Sequence, residues 1–532
     1  MARLGAFSVR RLRTVGRSFP QNWSGPRGAI TRPGRCTRIV EKGQRAGGHP
    51  EAEHRSLRSS DLTQERAEIV TMDFEELSYA EAPRITGTVP GPKSRNALEI
   101  QRKFESNVVS YPRAIPIAFE EGKGATIKDM DGNVYVDFFS GAGVLNVGHC
   151  NPEVLRAVHE QEQKLIHALD FPTRPRLDLI QKLVSIAPGE MRNNSRVFFG
   201  GPTGSDAVEA AVKLAKFDTK RSGVIAFEGG YHGMTSGALS LSSGKKFKRD
   251  FIPLLAEVHF LPYAYCYRCP FGKKDALPSD DCRQCAENVR RVLDDPHSGV
   301  VTPAALLVES VQGEGGSIVP PTDFVSDLRQ ISTDHGIVLV DDEIQAGIGR
   351  TGKMFACEHS GTTPDVTTVS KGLGGIGYPL SACLCLEKFD RWPPGSHIGT
   401  FRGQAVAMAA GYAALNFIEK HHVLEHATAI GEHMLQRLAA IKDGSKFIGD
   451  VRGKGLMLGV EFVKDVTTKE PGQEIAQEVR KLCYQKGLIV EVGGHYDNVV
   501  RFLPPLIITK ELADRGLDVF SEAVKEQERA HG

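Results

Sequence analysis

Short apolar runs recur through the middle of the chain, at 196–199, Val224–Phe227, Ala305–Val308, 337–340, Val366–Val369 and 381–386. Each is continuous rather than alternating, and helical spacing separates one from the next. Runs of this kind predict strands buried on both faces, in a mainly parallel sheet covered by helices. In such sheets ligands collect beyond the carboxyl ends of the strands. Segment 206–216 reads as one of the helices, because Val208, Ala211, Val212 and Ala215 repeat on one face. Asp206 and Glu209 have capping-box spacing, with Asp in place of the more usual Ser or Thr. The helix should therefore start directly after Pro202-Thr203-Gly204-Ser205. Its free N–H groups and dipole would face an anion there.

The rhythm changes after Arg402. Helical stretches at 405–419 and 425–441 lead into strand-like segments at 455–462, 488–492 and 499–503. This predicts a smaller α+β domain, with 132–139 packing against it. The expected organisation is a disordered leader over 1–71, then an N-terminal segment over 72–145 that packs with the small domain. A large domain over 146–395 and a C-terminal small domain over 396–532 follow. No internal repeat is visible.

Length and charge narrow the class. With 532 residues and a formal net charge of +1, the chain can bury a substantial core in two or more units. The near-zero balance argues against nucleic-acid binding and against a membrane-surface protein. No apolar stretch reaches the roughly 18–20 residues of a membrane helix, so a soluble intracellular protein is expected. The first 40 residues differ, with nine arginines and no acid before Glu41. This resembles a mitochondrial or plastid transit peptide. An extension upstream of a start at Met72 would look the same, in which case the protein is cytoplasmic.

Most of the ten cysteines are scattered, which fits a reducing compartment. Cys266 and Cys269 form one C-x-x-C pair, and Cys282 and Cys285 form another after twelve residues. Two such pairs could ligate a structural zinc, or be four reduced thiols in an insertion. No catalytic metal is expected, since no neighbouring His or Asp offers an open position.

The candidate chemistry follows the apolar runs. Asp341-Asp342-Glu343-Ile344-Gln345 ends one run, and Ser370-Lys371-Gly372-Leu373-Gly374-Gly375 ends the next. A carboxylate and an amine at adjacent strand ends suit a pyridoxal phosphate enzyme. The amine condenses with the aldehyde, and the carboxylate holds the pyridine nitrogen protonated. Three further elements precede them: Thr203-Gly204-Ser205, Phe227-Glu228-Gly229-Gly230-Tyr231-His232-Gly233, and Glu309-Ser310-Val311-Gln312-Gly313-Glu314-Gly315-Gly316. Alone, the first is a helix cap, the second a core tyrosine beside a loop histidine, and the lysine a surface residue. Their joint order is what makes a site.

That order resembles the class III aminotransferases, a fold type I family of pyridoxal phosphate-dependent transferases. The resemblance runs from about Gly91 to Val524. It is strongest over Asp342-Glu343-Ile344-Gln345-Ala346-Gly347-Ile348-Gly349-Arg350-Thr351-Gly352 and from Pro364-Asp365 to Lys371. It implies an α/β fold with a large mainly parallel sheet domain and a smaller α+β domain, and pyridoxal 5'-phosphate as cofactor. Lys371 would bind the cofactor aldehyde and shuttle protons. Asp342 would pair with the ring nitrogen, Gln345 with the ring hydroxyl, and Tyr231 and His232 would lie against the ring. Gly204 and Ser205 would hold the phosphate. Thr400 corresponds to a threonine that reaches the phosphate from the other subunit, which implies a homodimer with sites at its interface.

The resemblance also assigns the substrate side. Arg501 matches the arginine that binds the α-carboxylate of glutamate or 2-oxoglutarate. Glu314 matches the glutamate that covers it when the donor brings a distal amine. Glu309 belongs to the same glycine-rich turn. Met234 stands where several relatives carry an arginine for the distal carboxylate, which leaves Arg402 as a candidate for that contact. Ser310 replaces a usual proline. The blocks 201–209, 267–272 and 392–403 resemble the diaminobutyrate–2-oxoglutarate branch. An amino-acid donor and a 2-oxoacid acceptor are implied. Other ω-aminotransferases, an amino-acid racemase or aminomutase, and a non-catalytic zinc-containing relative of the same fold are the alternatives.

Overall fold

All six apolar runs become strands of one seven-stranded sheet in the computed structural model, which describes residues 73–273 and 282–531. The seventh strand is Val258–Leu261, at an edge. Across the sheet the order is Ser195–Phe198, Ala382–Leu386, Val366–Val369, Val338–Asp342, Ala305–Val308, Val224–Phe227 and Val258–Leu261. The last five strands in this order run parallel, and Ala382–Leu386 runs antiparallel to both of its neighbours. The inner strands are buried along their whole length. That burial is why their sequences are continuously apolar rather than alternating. Val258–Leu261 is only half-buried and carries His259, so its run is too broken to stand out.

The helix expected over 206–216 spans Gly204–Thr219 and packs Ala207, Val208, Ala211 and Ala215 against the sheet. Its start differs from the expectation. Thr203 is the cap and Asp206 the third helical residue, with the Asp206 carboxylate accepting from the Thr203 N–H at 2.9 Å and hydroxyl at 2.7 Å. Threonine wins this position because its φ and ψ are extended while Asp206 is already helical. Glu209 is used elsewhere, accepting from the Thr235 hydroxyl at 2.7 Å. Gly204 and Ser205 consequently form the first turn of a sixteen-residue helix.

Two smaller sheets flank this core. One joins Phe119–Lys123, Thr126–Asp129 and Val134–Asp137 to Leu488–Ile489, with Leu488 opposite Val136. The other joins Ile448–Lys454, Met457–Asp465, Val499–Phe502 and Glu491–Gly493. Between the large sheet and the second small one run the helices Ala405–Lys420 and Val423–Asp443. The parallel pairing of 488–489 with 136–137 brings the N-terminal and C-terminal segments together. The Leu503 N–H donates to the Phe138 carbonyl at 2.7 Å beside it. The described residues belong to one compact unit. The arginine-rich leader lies outside the described residues. Among the described residues, no helix is long and apolar enough to cross a membrane.

Arg350 fastens the large sheet to the C-terminal region. It is fully buried and donates to the carbonyls of Leu456 at 3.0 Å and Pro504, and to Asn146 Oδ1 at 2.7 Å. Burial lowers its pKa to about 9, with Asp137 opposing the shift. Arg350→Met would strand two buried carbonyls and an amide oxygen. The expected loss is about 2–4 kcal/mol in denaturant unfolding. Arg350→Lys should recover less than half of it, because one ammonium cannot reproduce the planar fork. An unchanged midpoint in Arg350→Met would remove this role.

Candidate active site

Where the parallel strands end at their carboxyl edge, a cavity of about 290 Å³ opens. Asp342, Lys371, Gln345, Glu309, Glu314 and Arg501 all line it. Pairing of Val338–Asp342 with Val366–Val369 sets Asp342 opposite Thr368. The Thr368 hydroxyl lies 3.2 Å from Asp342 Oδ1, which also accepts from the Ile344 N–H at 3.1 Å. The other oxygen, Oδ2, lies 2.7 Å from His232 Nδ1. Both side chains are almost wholly buried. Burial alone would lower the His232 pKa, but the hydrogen bond and charge of Asp342 outweigh it and the net shift is upward. Each buried side chain thus gives the other its polar partner.

Lys371 follows the next strand. Its glycine frame has a steric cause: a Cβ at Gly372 would lie 2.3 Å from Asn146 Nδ2, and one at Gly375, at φ +70°, would lie 2.6 Å from Ala414 Cβ. These contacts let the turn fold against helix and loop, with Lys371 facing the cavity. Among the described residues the Lys371 amine has no hydrogen bond or ion pair. Burial lowers its pKa to about 8, helped by Arg501 and opposed by Glu309, Asp342 and Glu314. A largely desolvated amine with this pKa is a competent nucleophile near neutral pH.

The remaining groups surround these two. The first turn of Gly204–Thr219 brings Gly204 and Ser205 to the cavity. Ser205 Oγ accepts from the Met234 N–H at 3.3 Å. Tyr231 packs edge-on to Phe247, with ring centroids 5.3 Å apart. Glu309 accepts from the N–H groups of Tyr231 at 3.0 Å and Gly313 at 2.8 Å, so it joins two loops. Burial pushes its pKa up to about 7; His232 opposes this and Asp342 adds to it. Gln345 donates to the Ala142 carbonyl at 3.1 Å, while its Oε1 is buried with no partner. Arg501 Nη2 lies 2.7 Å from Glu314 Oε2, and Arg501 Nε and Nη1 are buried without partners.

Two expected residues lie elsewhere. Thr400 is exposed and outside its own chain's cavity. Arg402 is also outside it, because its guanidinium binds Asp170 at 2.6 Å and the His397 carbonyl. Met234 is half-exposed and does not line the cavity. Tyr111, Ala142 and Phe247 line it and were not singled out from the sequence. For Ala142 a signal exists in Ser140-Gly141-Ala142-Gly143, directly after a strand. All four residues have φ between +50° and +81°, and the turn delivers the Ala142 carbonyl to Gln345. No comparable pattern marks Tyr111 or Phe247.

Cys266, Cys269 and Cys282 are half-buried and Cys285 is buried. Residues 274–281 between the pairs lie outside the described residues. Among the described residues, the one His, Cys, Asp and Glu group close enough to share an ion is Asp341, Glu343 and Cys357.

The donor set suits pyridoxal phosphate. It offers a buried carboxylate for a ring nitrogen, a neutral-range amine for an aldehyde, a helix N-terminus for a phosphate and an amide whose buried Oε1 has no partner. Fold and site together define a fold type I transferase. Residues 109–524 match the family description Aminotransferase class-III, and the chain belongs to that family. It is 40% identical over 426 residues to a diaminobutyrate–2-oxoglutarate aminotransferase from Rhizobium meliloti, covering 79% of this chain and 90% of the relative. It is also 40% identical over 420 residues to a leucine/methionine racemase from Thermococcus litoralis, covering 78% and 91%. Among solved structures, an amine transaminase from an uncultivated Pseudomonas species in its PLP-bound form superposes with a TM-score of 0.73. That match has 27% identity and covers 80% of this chain and 98% of the other.

The Glu309 pKa yields a test. A folded pKa near 7 exceeds the ordinary carboxylate value, so the folded state holds the extra proton. Stability from this group is full below about pH 4.5 and lost as pH rises through 7. Wild-type protein should therefore lose stability between pH 5 and pH 8 by a few kcal/mol more than Glu309→Gln does. Equal slopes in thermal or denaturant unfolding would contradict it.

Proposed function

We propose that this protein moves the distal amine of L-2,4-diaminobutyrate to 2-oxoglutarate, reversibly, giving aspartate 4-semialdehyde and glutamate. The observation that carries the reading is the 2.7 Å Arg501–Glu314 pair in the cavity wall. A transaminase takes two unlike substrates in one pocket. The paired state leaves no bare guanidinium when a donor presents a distal amine. With Glu314 moved aside, Arg501 offers a bidentate site to the α-carboxylate of glutamate or 2-oxoglutarate. The similarity to diaminobutyrate–2-oxoglutarate aminotransferases supports the choice of donor.

Bound pyridoxal 5'-phosphate supplies an electron sink for a carbanion at the amine-bearing carbon. The chain's residues do the rest. The Asp342 carboxylate holds a proton on the ring nitrogen, and His232 fixes that carboxylate in place. Lys371 Nζ carries the proton to and from the reacting carbon. Gly204 and Ser205 hold the phosphate at the helix N-terminus. Gln345 contacts the ring hydroxyl, and Tyr231 bounds one side of the ring.

Thr400 completes the phosphate site of a neighbouring protomer in a homodimer. Support comes from the exposed apolar side chains beside it. Ile166, Phe171, Ile398 and Phe401 are each more than half exposed. The Ala405 N–H to Ile166 carbonyl bond at 3.1 Å and the Arg402–Asp170 pair bring the two segments that carry this apolar patch side by side. Such a patch marks an interaction surface. Residues 72–145 and 396–532 act together as the smaller domain, and 146–395 as the cofactor-binding one.

A second reading is an amino-acid racemase, favoured by the 40% identity to a leucine/methionine racemase. Racemisation needs no acceptor, so turnover of an amino acid without any 2-oxoacid would favour it.

Glutamate formation from diaminobutyrate and 2-oxoglutarate is the expected assay result. Activity confined to ornithine or 4-aminobutyrate would reassign the donor. Borohydride treatment of the loaded protein should leave cofactor mass on the peptide containing Lys371. Lys371→Ala should carry none, and a label elsewhere would remove Lys371 from its role.

A further inference from the structure

We propose that Lys246 is the second station of Glu314, the cation that receives this carboxylate when an acceptor takes Arg501. The proposal rests on the two-substrate reading above. Glu314 stands between two chambers. One is the cofactor cavity, and the other is an adjoining space of about 580 Å³ lined by Lys246, Asp497 and His495. Tyr231 and Phe247 belong to both walls. One carboxylate oxygen, Oε2, sits 2.7 Å from Arg501 Nη2, and the other, Oε1, is already 4.0 Å from Lys246 Nζ. The exchange needs no backbone motion. The Glu314 carbonyl accepts from the Gly494 N–H at 2.9 Å, so the main chain is anchored and the side chain alone can turn.

Charge gives the reason for a second cation. An incoming carboxylate at Arg501 would face Glu314 at close range, two like charges against a buried wall. Moving Glu314 into the side chamber relieves this only if a positive group waits there. Lys246 is held in place by an ion pair with Asp497 and is about half exposed, so it can share two carboxylates. The arrangement lowers the cost of uncovering Arg501. Lys246 is thus a positioning residue, acting on the acceptor through Glu314.

The test compares Lys246→Met, Lys246→Arg, Glu314→Ala and the double variant Lys246→Met/Glu314→Ala in the loaded full-length protein. It measures KM for donor and for 2-oxoglutarate, and the calorimetric Kd of glutarate, an unreactive dicarboxylate. Lys246→Met should raise the 2-oxoglutarate KM and the glutarate Kd roughly 2- to 5-fold, the range of a half-exposed ion pair. The donor KM should stay level or fall, because Glu314 then rests more firmly on Arg501. Lys246→Arg should restore the acceptor values. In the Glu314→Ala background, Lys246→Met should change nothing. A persisting effect there would mean that Lys246 touches the acceptor itself, and would overturn the proposal. A parallel rise in donor and acceptor KM, or no change at all, would overturn it as well. A wild-type protein without 2-oxoglutarate-dependent turnover would refute the functional reading instead. The glutarate titration would still decide the role of Lys246.

Discussion

The buried pair of Asp342 and His232 is the constraint around which the site is arranged. A carboxylate this deep needs hydrogen-bond partners for both of its oxygens. The sheet supplies that support through strand register, with Thr368 opposite Asp342, and a loop brings in His232 at 2.7 Å. Parallel neighbouring strands then end at the same edge, which sets Lys371, just past the end of Val366–Val369, beside Asp342. The glycines that follow Lys371 let the chain turn against Asn146 and Ala414. Arg350 and its buried carbonyl partners tie the segment after this edge to the C-terminal region.

Charge balance explains how the cavity serves two substrates. Glu309, Asp342 and Glu314 face His232, Lys371 and Arg501 within one wall. Arg501 helps lower the Lys371 pKa while the carboxylates oppose it. Arg501 keeps two donors without partners beside its bond to Glu314. A guanidinium left in that state is primed for a bidentate carboxylate. Its cover has to be removable, which is why a single flexible side chain from a glycine-rich turn suits the task.

The five inner strands were legible because burial on both faces writes a continuous apolar run, and the edge strand Ser195–Phe198 keeps enough apolar residues to read with them. Val258–Leu261 was not, because an edge strand keeps a polar face. The helix Gly204–Thr219 was legible in its apolar spacing but not in its cap, where Asp206 and Thr203 both offer oxygen and only backbone conformation decides. Lys371 and Asp342 could be named because they end adjacent apolar runs, whereas Glu314 and Arg501 were named only through the family resemblance. Their convergence in one cavity is a tertiary fact that no spacing encodes. Tyr111 and Phe247 had no local signature: they reach the cavity through loops and short helices whose paths depend on packing. Arg402 looked available in sequence, yet Asp170 occupies it, since ion pairing across 232 positions leaves no sequence trace.

The central claim is that Asp342 keeps the cofactor ring nitrogen protonated. Nitrogen-15 NMR of the protein loaded with ring-labelled pyridoxal phosphate measures this directly. The nitrogen should be protonated in the wild type at pH 8 and unprotonated in Asp342→Asn. The same chemical shift in both proteins would contradict it.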